Sequence, residues 1–149
     1  MSSDSTTAPE PAADRLLIVE VRGDLYGVDA GVVREIVVSP VATRLPGAPP
    51  HVKGVVNLRG QLLTVIDVAH RLTGKPTTAA EGSIVVVSSE ERVLGLLVED
   101  VHDVQDIPVV AADRDMLSRA DGLLTGVGRL GDEVVLVVDI PELVRQTLA

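Results

Sequence analysis

The chain contains no cysteine, no tryptophan, no phenylalanine and only one tyrosine among its 149 residues. Without thiols, neither a disulfide framework nor a thiolate metal site can form, and nothing argues for an oxidising compartment. Without aromatic bulk, the core of a chain that is 46% hydrophobic has to be assembled from Val, Leu and Ile. Branched aliphatic residues of this kind favour strands. Long apolar runs are also missing. No stretch approaches the roughly 18 residues of a membrane span, and Met1–Asp14 has neither the charged nor the apolar region of a signal peptide. The sequence therefore reads as cytoplasmic, with no direct membrane insertion. Basic charge is scarce as well: 13 Lys and Arg stand against 22 Asp and Glu, for a net charge of -9. The basic residues are scattered, so a phosphate backbone would be repelled and nucleic acid is excluded as a partner class. An acidic surface serves solubility and favours a basic partner.

What is present is a series of short apolar runs. Residues 1–13 are mostly Ser, Thr, Ala, Pro and Glu, too poor in apolar area to offset the cost of ordering, and are expected to form a disordered tail. From residue 14 to 149 the pattern predicts one domain. Strand-length runs occur at Leu16–Val21, Gly54–Leu58, Gln61–Ile66, Ile84–Val87, Val93–Val98, Leu123–Val127 and Val134–Val138. Short helices are expected at Ala30–Val37 behind Asp29, Ala69–Leu72 behind Asp67, Arg114–Ala120 and Pro141–Leu148. Strands so short and so closely spaced indicate an all-β fold, barrels or a sandwich, with short helices.

The chain also resembles itself. LLIVEVRGDLYGVDAGVVREI aligns with IVVVSSEERVLGLLVEDVHDV at a constant offset of 68, which places Gly27 on Gly95 and Val33 on Val101. GVVNLRGQLLTVIDV aligns with GVGRLGDEVVLVVDI at an offset of 72, which places Gly54 on Gly126, Leu58 on Leu130 and Asp67 on Asp139. Matched Gly and Asp in ordered blocks imply two related β units, about residues 15–75 and 83–145.

Motifs that would carry chemistry fail on context. Gly126-Val-Gly128-Arg-Leu-Gly131 spells a dinucleotide fingerprint but leads into a Val-rich strand through Asp132 and Glu133, instead of opening a helix toward phosphate. A small-molecule-binding β-barrel is the reading this match would support. Gly74-Lys75 lacks both the first glycine and the Ser or Thr of a phosphate loop. His51, His70 and His102 share no metal-ligand spacing. The serines have no recognisable base, and the carboxylate pairs Glu90-Glu91 and Glu99-Asp100 read as solvated. No catalysis, cofactor or metal is expected.

Tyr26 to Ile36, Thr43-Arg-Leu-Pro46, Val52-Lys-Gly-Val-Val-Asn57-Leu58-Arg59-Gly60 and Val65-Ile-Asp67 follow one another in an order and spacing that resemble the signature of the CheW family. Later blocks extend the resemblance to about residues 15–145, and KGVVNLRG is its specific part. The resemblance implies two intertwined five-stranded SH3-like barrels and a non-enzymatic adaptor in chemotaxis signal transduction. It also implies two partners: the regulatory domain of a CheA-type histidine kinase and the cytoplasmic tip of a chemoreceptor, the adaptor being recruited to receptor arrays. The alternative, motivated by altered residues near Thr64, is an interaction module of another CheA-like system, such as pilus motility or polar localisation.

By the same resemblance, Arg59 and Glu35 are the polar coupling positions, Asn57 and Leu58 belong to the partner-binding hairpin, and Val33 lies in the receptor-contacting groove. From the residues alone, the Arg59 fork suits a carboxylate, either Glu35 in an internal clamp or one on a partner. For Val33 the residues alone favour core packing of the short helix. The chain departs from the family pattern at Thr64, where many relatives have Pro, and at Ala69-His70, which replaces a basic stretch. Both departures flank the NLRG hairpin.

Overall fold

The computed structural model describes residues 13–38, 42–77 and 82–148. The tail expected over residues 1–13 lies outside these, apart from Ala13, which opens the first strand. Strands β1 (Ala13–Val21), β2 (Asp24–Asp29), β3 (Val33–Val38), β4 (Val52–Leu58) and β5 (Gln61–Asp67) lead to helix α1 (Val68–Thr73). Strands β6 (Ser83–Ser89), β7 (Arg92–Val98) and β8 (Asp100–Ala111) lead to helix α2 (Arg114–Arg119). Strands β9 (Leu124–Leu130) and β10 (Glu133–Val138) then lead to helix α3 (Ile140–Leu148).

The helix expected over Ala30–Val37 is a correction. Only Ala30–Val32 form a single 3-10 turn, capped by Asp29 Oδ1 accepting from Gly31 N at 2.9 Å. Val33–Val38 then run as β3, paired with β6. Four of its six residues, in VREIVV, are β-branched, and the β6 edge supplies the ladder partner a helix would forgo. Asp67 caps α1 as expected and its match Asp139 caps α3, accepting from His70 N and Glu142 N.

The strands assemble into two five-stranded units, as the family resemblance implied. One is a closed barrel in the order β1-β2-β10-β9-β8; the other is a sheet in the order β3-β6-β7-β5-β4. Neither unit is a contiguous half of the chain. Each borrows strands from the other repeat, so the units are intertwined. The exchange is joined by two parallel pairings, Gly27 against Val137 and Gly95 against Val65, which the two sequence offsets interchange. A Cβ on Gly27 would stand 2.8 Å from Leu16 Cδ1, and one on Gly95 3.0 Å from Ile84 Cγ2, so at each crossing a side chain would make its neighbour move.

Three apolar clusters explain why most strand runs are apolar on both faces. Leu16, Ile18, Leu25, Ile107, Val135 and Val137 fill the closed barrel. Val56, Leu63, Val65, Ile84 and Val86 fill the second unit. The largest cluster lies between them, where Leu17, Val19, Leu94, Leu96, Leu123 and Leu143 meet. Alternate residues of β1 and β6 thus serve a barrel interior and the shared core in turn.

The second unit is completed by a single bridge, Thr43 with Val55, whose two N–H groups donate to each other's carbonyls at 2.8 Å. In the closed barrel three pairs of β8 with β9, including Val110 with Val127, occupy the matching place.

Candidate functional site

The β4–β5 hairpin turns at Arg59 and Gly60, whose φ values of 51° and 86° are the positive pair of a two-residue turn that matches strand twist. Asn57 Oδ1 accepts from Gly60 N at 2.9 Å and braces this turn from within. The Arg59 side chain, 75% exposed, reaches from the tip to Glu35 on edge strand β3 and pairs with it. In a sheet whose outermost strands are β3 and β4, the pair ties the hairpin to the opposite edge. An exposed ion pair is worth about 0–1 kcal/mol. Its consequence is therefore shape and charge at this end of the unit more than stability.

Beneath the pair is a cavity of about 540 Å3, lined by Leu58, Leu62, Leu63, Val86 and Val93 with Glu35 and Arg59 at its polar side. Leu62 is 74% exposed and Val93 42%, so the mouth presents apolar surface to solvent beside a cation and a carboxylate. On β3, Arg34 Nε donates to Ser88 Oγ at 2.6 Å and fixes a second guanidinium in the lining.

Of the residues singled out from the sequence, Glu35, Leu58 and Arg59 meet at this mouth and Asn57 supports it from an exposed position. Val33 does not join them: it is half-buried at the start of β3 and packs against the shared core. Leu62, Arg34, Ser88 and Val93 were not anticipated. Leu62 was legible in principle, because in the β5 alternation Leu63 and Val65 point inward and leave Leu62 outward.

The rejected motifs fall where their context indicated. Gly126 and Gly128 are β9 residues, Gly131 turns the chain into β10, and no helix opens there. His102 Nε2 lies 3.2 Å from Glu20 Oε1 and 4.0 Å from Asp100 Oδ2, an exposed ion pair when the imidazole is protonated. His51 is held below its ordinary value by burial, then by Arg71 and His70. Burial raises the Tyr26 hydroxyl, aided by Asp24, and raises the Asp139 carboxyl against the pull of Arg145.

Residues 15–148 match the profile of the CheW-like domain family. The chain belongs to this family. Among curated CheW-like relatives, the chemotaxis protein CheW of Klebsiella aerogenes is 31% identical, over 96% of this chain and 89% of its own. The chemotaxis protein CheW of Rhizobium meliloti is 35% identical over 77% of this chain and 79% of its own. Protein PilI of Pseudomonas aeruginosa is 34% identical, over 58% of this chain and 49% of its own. The crystal structure of the scaffolding protein TtCheW from Thermoanaerobacter tengcongensis superposes with a TM-score of 0.70 at 26% identity, covering 87% of this chain and 89% of that one. No helix among the described residues is long and apolar enough to cross a membrane.

Proposed function

We propose that this CheW-like protein is a non-enzymatic scaffold of chemotaxis signal transduction that couples chemoreceptor tips to a CheA-type histidine kinase. The observation that carries the reading is the Arg59–Glu35 pair set against the exposed apolar mouth at Leu62 and Val93. A charge pair bordering unpartnered apolar surface is the composition of a protein–protein contact, with an apolar centre and a polar, orienting rim. The family membership and the scaffolding description of TtCheW support it. Val33, packed on the shared core, serves a receptor contact through the position of β3 more than through its own exposure.

Reconstitution of kinase, receptor fragment and this protein tests the reading. The wild type should retain both partners in a pull-down and raise kinase activity. Arg59→Glu should lower both while the chain stays folded. Retention of neither partner by the wild type, or no effect of Arg59→Glu, overturns it. A second reading is a module of another CheA-like system, such as pilus motility or polar localisation. The 34% identity to PilI and the departure at Thr64, on the strand that carries the hairpin, favour it. Binding to a kinase from such a system in preference to a chemotaxis kinase separates the two.

A further inference from the structure

Asp67 and Asp139 hold matching positions in the two repeats and cap matching helices, with Oδ1 accepting from His70 N at 3.3 Å and from Glu142 N at 3.1 Å. Beyond the cap the repeats diverge. Helix α1 ends at Gly74, whose φ of 80° turns the chain back. Thr77 N then donates to Asp67 Oδ2 at 2.9 Å, and Arg22 Nη1 holds the Pro76 carbonyl at 2.9 Å. This returning segment covers Asp67, which is 3% exposed.

The residue matching Gly74 in the other repeat is Gln146, which has no such turning preference, and α3 continues through it to Leu148. Among the described residues no N–H of a returning segment reaches the Asp139 carboxylate, whose one side-chain hydrogen bond is the cap from Glu142 N. A cavity of about 440 Å3 lies there instead, with Asp14, Asp29 and Asp139 around an apolar floor that includes Leu16, Val137 and Val138. Its lining cation, Arg15, has its guanidinium 3.7 Å from Asp106. Arg145, the neighbouring cation, is paired with Glu142.

We propose that this cavity docks an extended, positively charged peptide segment of a partner protein. The segment seats a backbone N–H on Asp139 Oδ2, as Thr77 does on Asp67, and places a Lys or Arg side chain among Asp14, Asp29 and Asp139. The matching repeat shows the backbone geometry such a segment adopts, and the three carboxylates select its charge. The site is separate from the Arg59 hairpin and does not depend on the scaffold reading.

The chain's own Thr73–Thr77 segment, synthesised as a capped pentapeptide, is the probe, and its Lys75→Glu version is the control. Titrated into the isotope-labelled full chain, the lysine peptide should shift amide resonances of the cavity residues, Thr125, Val138 and Asp139 among them. Loss of a charge-assisted contact should weaken binding about ten-fold for the glutamate peptide and for Asp139→Asn protein. Thr125→Arg, at an exposed position on the rim, should abolish binding with the spectrum otherwise intact, and it decides the matter if Asp139→Asn perturbs folding. Absence of shifts at millimolar peptide, shifts scattered over the surface, equal binding of the two peptides, or binding retained by Thr125→Arg each overturns the proposal.

Discussion

The two repeats share a backbone plan and differ in what they display. At the first hairpin Arg59 pairs with Glu35, whereas the matching positions in the second repeat are Gly131 and Asp103, and Asp103 has no ion pair among the described residues. Glycines at the strand crossings and the Asp caps are repeated in both halves, because the architecture needs them twice. The Arg59–Glu35 pair is present once. The second repeat folds to the same plan without it, so the shared plan does not demand the pair in both halves. That contrast supports the proposed partner contact at the hairpin.

The largest expected effect breaks the repeat at its closure. Gly54 and Gly126 match, but Gly54 has φ 144° and a Cβ there would stand 2.1 Å from the Thr43 carbonyl oxygen, which is backbone. At Gly126, where φ is not positive, the closest atom is the side-chain Val109 Cγ1 at 2.3 Å, and the nearest backbone atom, the Val110 carbonyl oxygen, is farther away at 2.9 Å. Gly54→Ala should therefore cost about 3–5 kcal/mol, strain and overpacking together, and Gly126→Ala about 1–3 kcal/mol. Urea denaturation of the two variants measures the difference. Equal losses would mean that the single Thr43–Val55 bridge is more pliant than the three-pair seam of the closed barrel.

A smaller asymmetry separates the caps. Asp67→Ala removes a helix cap and, with it, the hydrogen bond that Thr77 N donates from the returning segment, for about 2–3 kcal/mol. Asp139→Ala removes a cap alone, for about 1 kcal/mol. The pH dependence also differs. Burial raises the Asp139 carboxyl, so the folded chain binds its proton more readily than the unfolded chain does. The stability this group contributes is complete below its ordinary value of 3.8 and is lost as pH rises through the higher folded value. Asp139→Asn should flatten that part of a pH–stability curve.

Smaller still is the contribution of the exposed pair to stability. A double-mutant cycle of Arg59→Ala and Glu35→Ala should yield a coupling of about 0.2–1 kcal/mol, and Asp103→Ala less than about 0.5 kcal/mol. A coupling well above that range would make the pair the internal clamp that the residues alone also allowed. It would then weaken the contrast between the repeats.

Offsets of 68 and 72 matched Gly27 with Gly95 and Gly54 with Gly126, and in the structure a Cβ at any of the four would stand 3.0 Å or less from a neighbouring atom. The exchange of strands between units was not legible from the residues alone. Matched blocks report which segments are alike and not which pair, and β10 reaches β2 only through a long-range parallel contact. β3 was misread as a helix because Asp29 caps a single turn, and the β-branched run beyond it needed the β6 edge to declare itself. At the site, Arg59 and Glu35 came from the family resemblance, to which the residues alone added only that the Arg59 fork suits a carboxylate. Leu62 and Val93 did not, since exposed aliphatic residues in Val- and Leu-rich strands look like core until the faces are known. The cavity at Asp139 had a sequence signal, Gln146 where the other repeat has Gly74, but its meaning required seeing Thr77 over Asp67.

The smallest effect comes from a matched pair with a shared backbone role. His51 and Leu123 each lend a carbonyl to the N–H of the capping aspartate, at 2.8 Å to Asp67 and 2.7 Å to Asp139. Leu123 is fully buried in the shared core, whereas His51 is a half-buried, ionisable group near Arg71 and His70. Burial foremost, and then those two cations, hold the imidazole below its ordinary value of 6.5, so the unfolded chain takes up the proton first as pH falls. The contribution of His51 is complete above pH 6.5 and is lost as pH drops toward the folded value. Wild-type stability should thus decline on acidification through this window, and His51→Leu, which copies the other repeat, should make the decline shallower. An imidazole resonance that titrates at or above 6.5 in the folded chain would show that solvent, and not burial beside Arg71, governs this position.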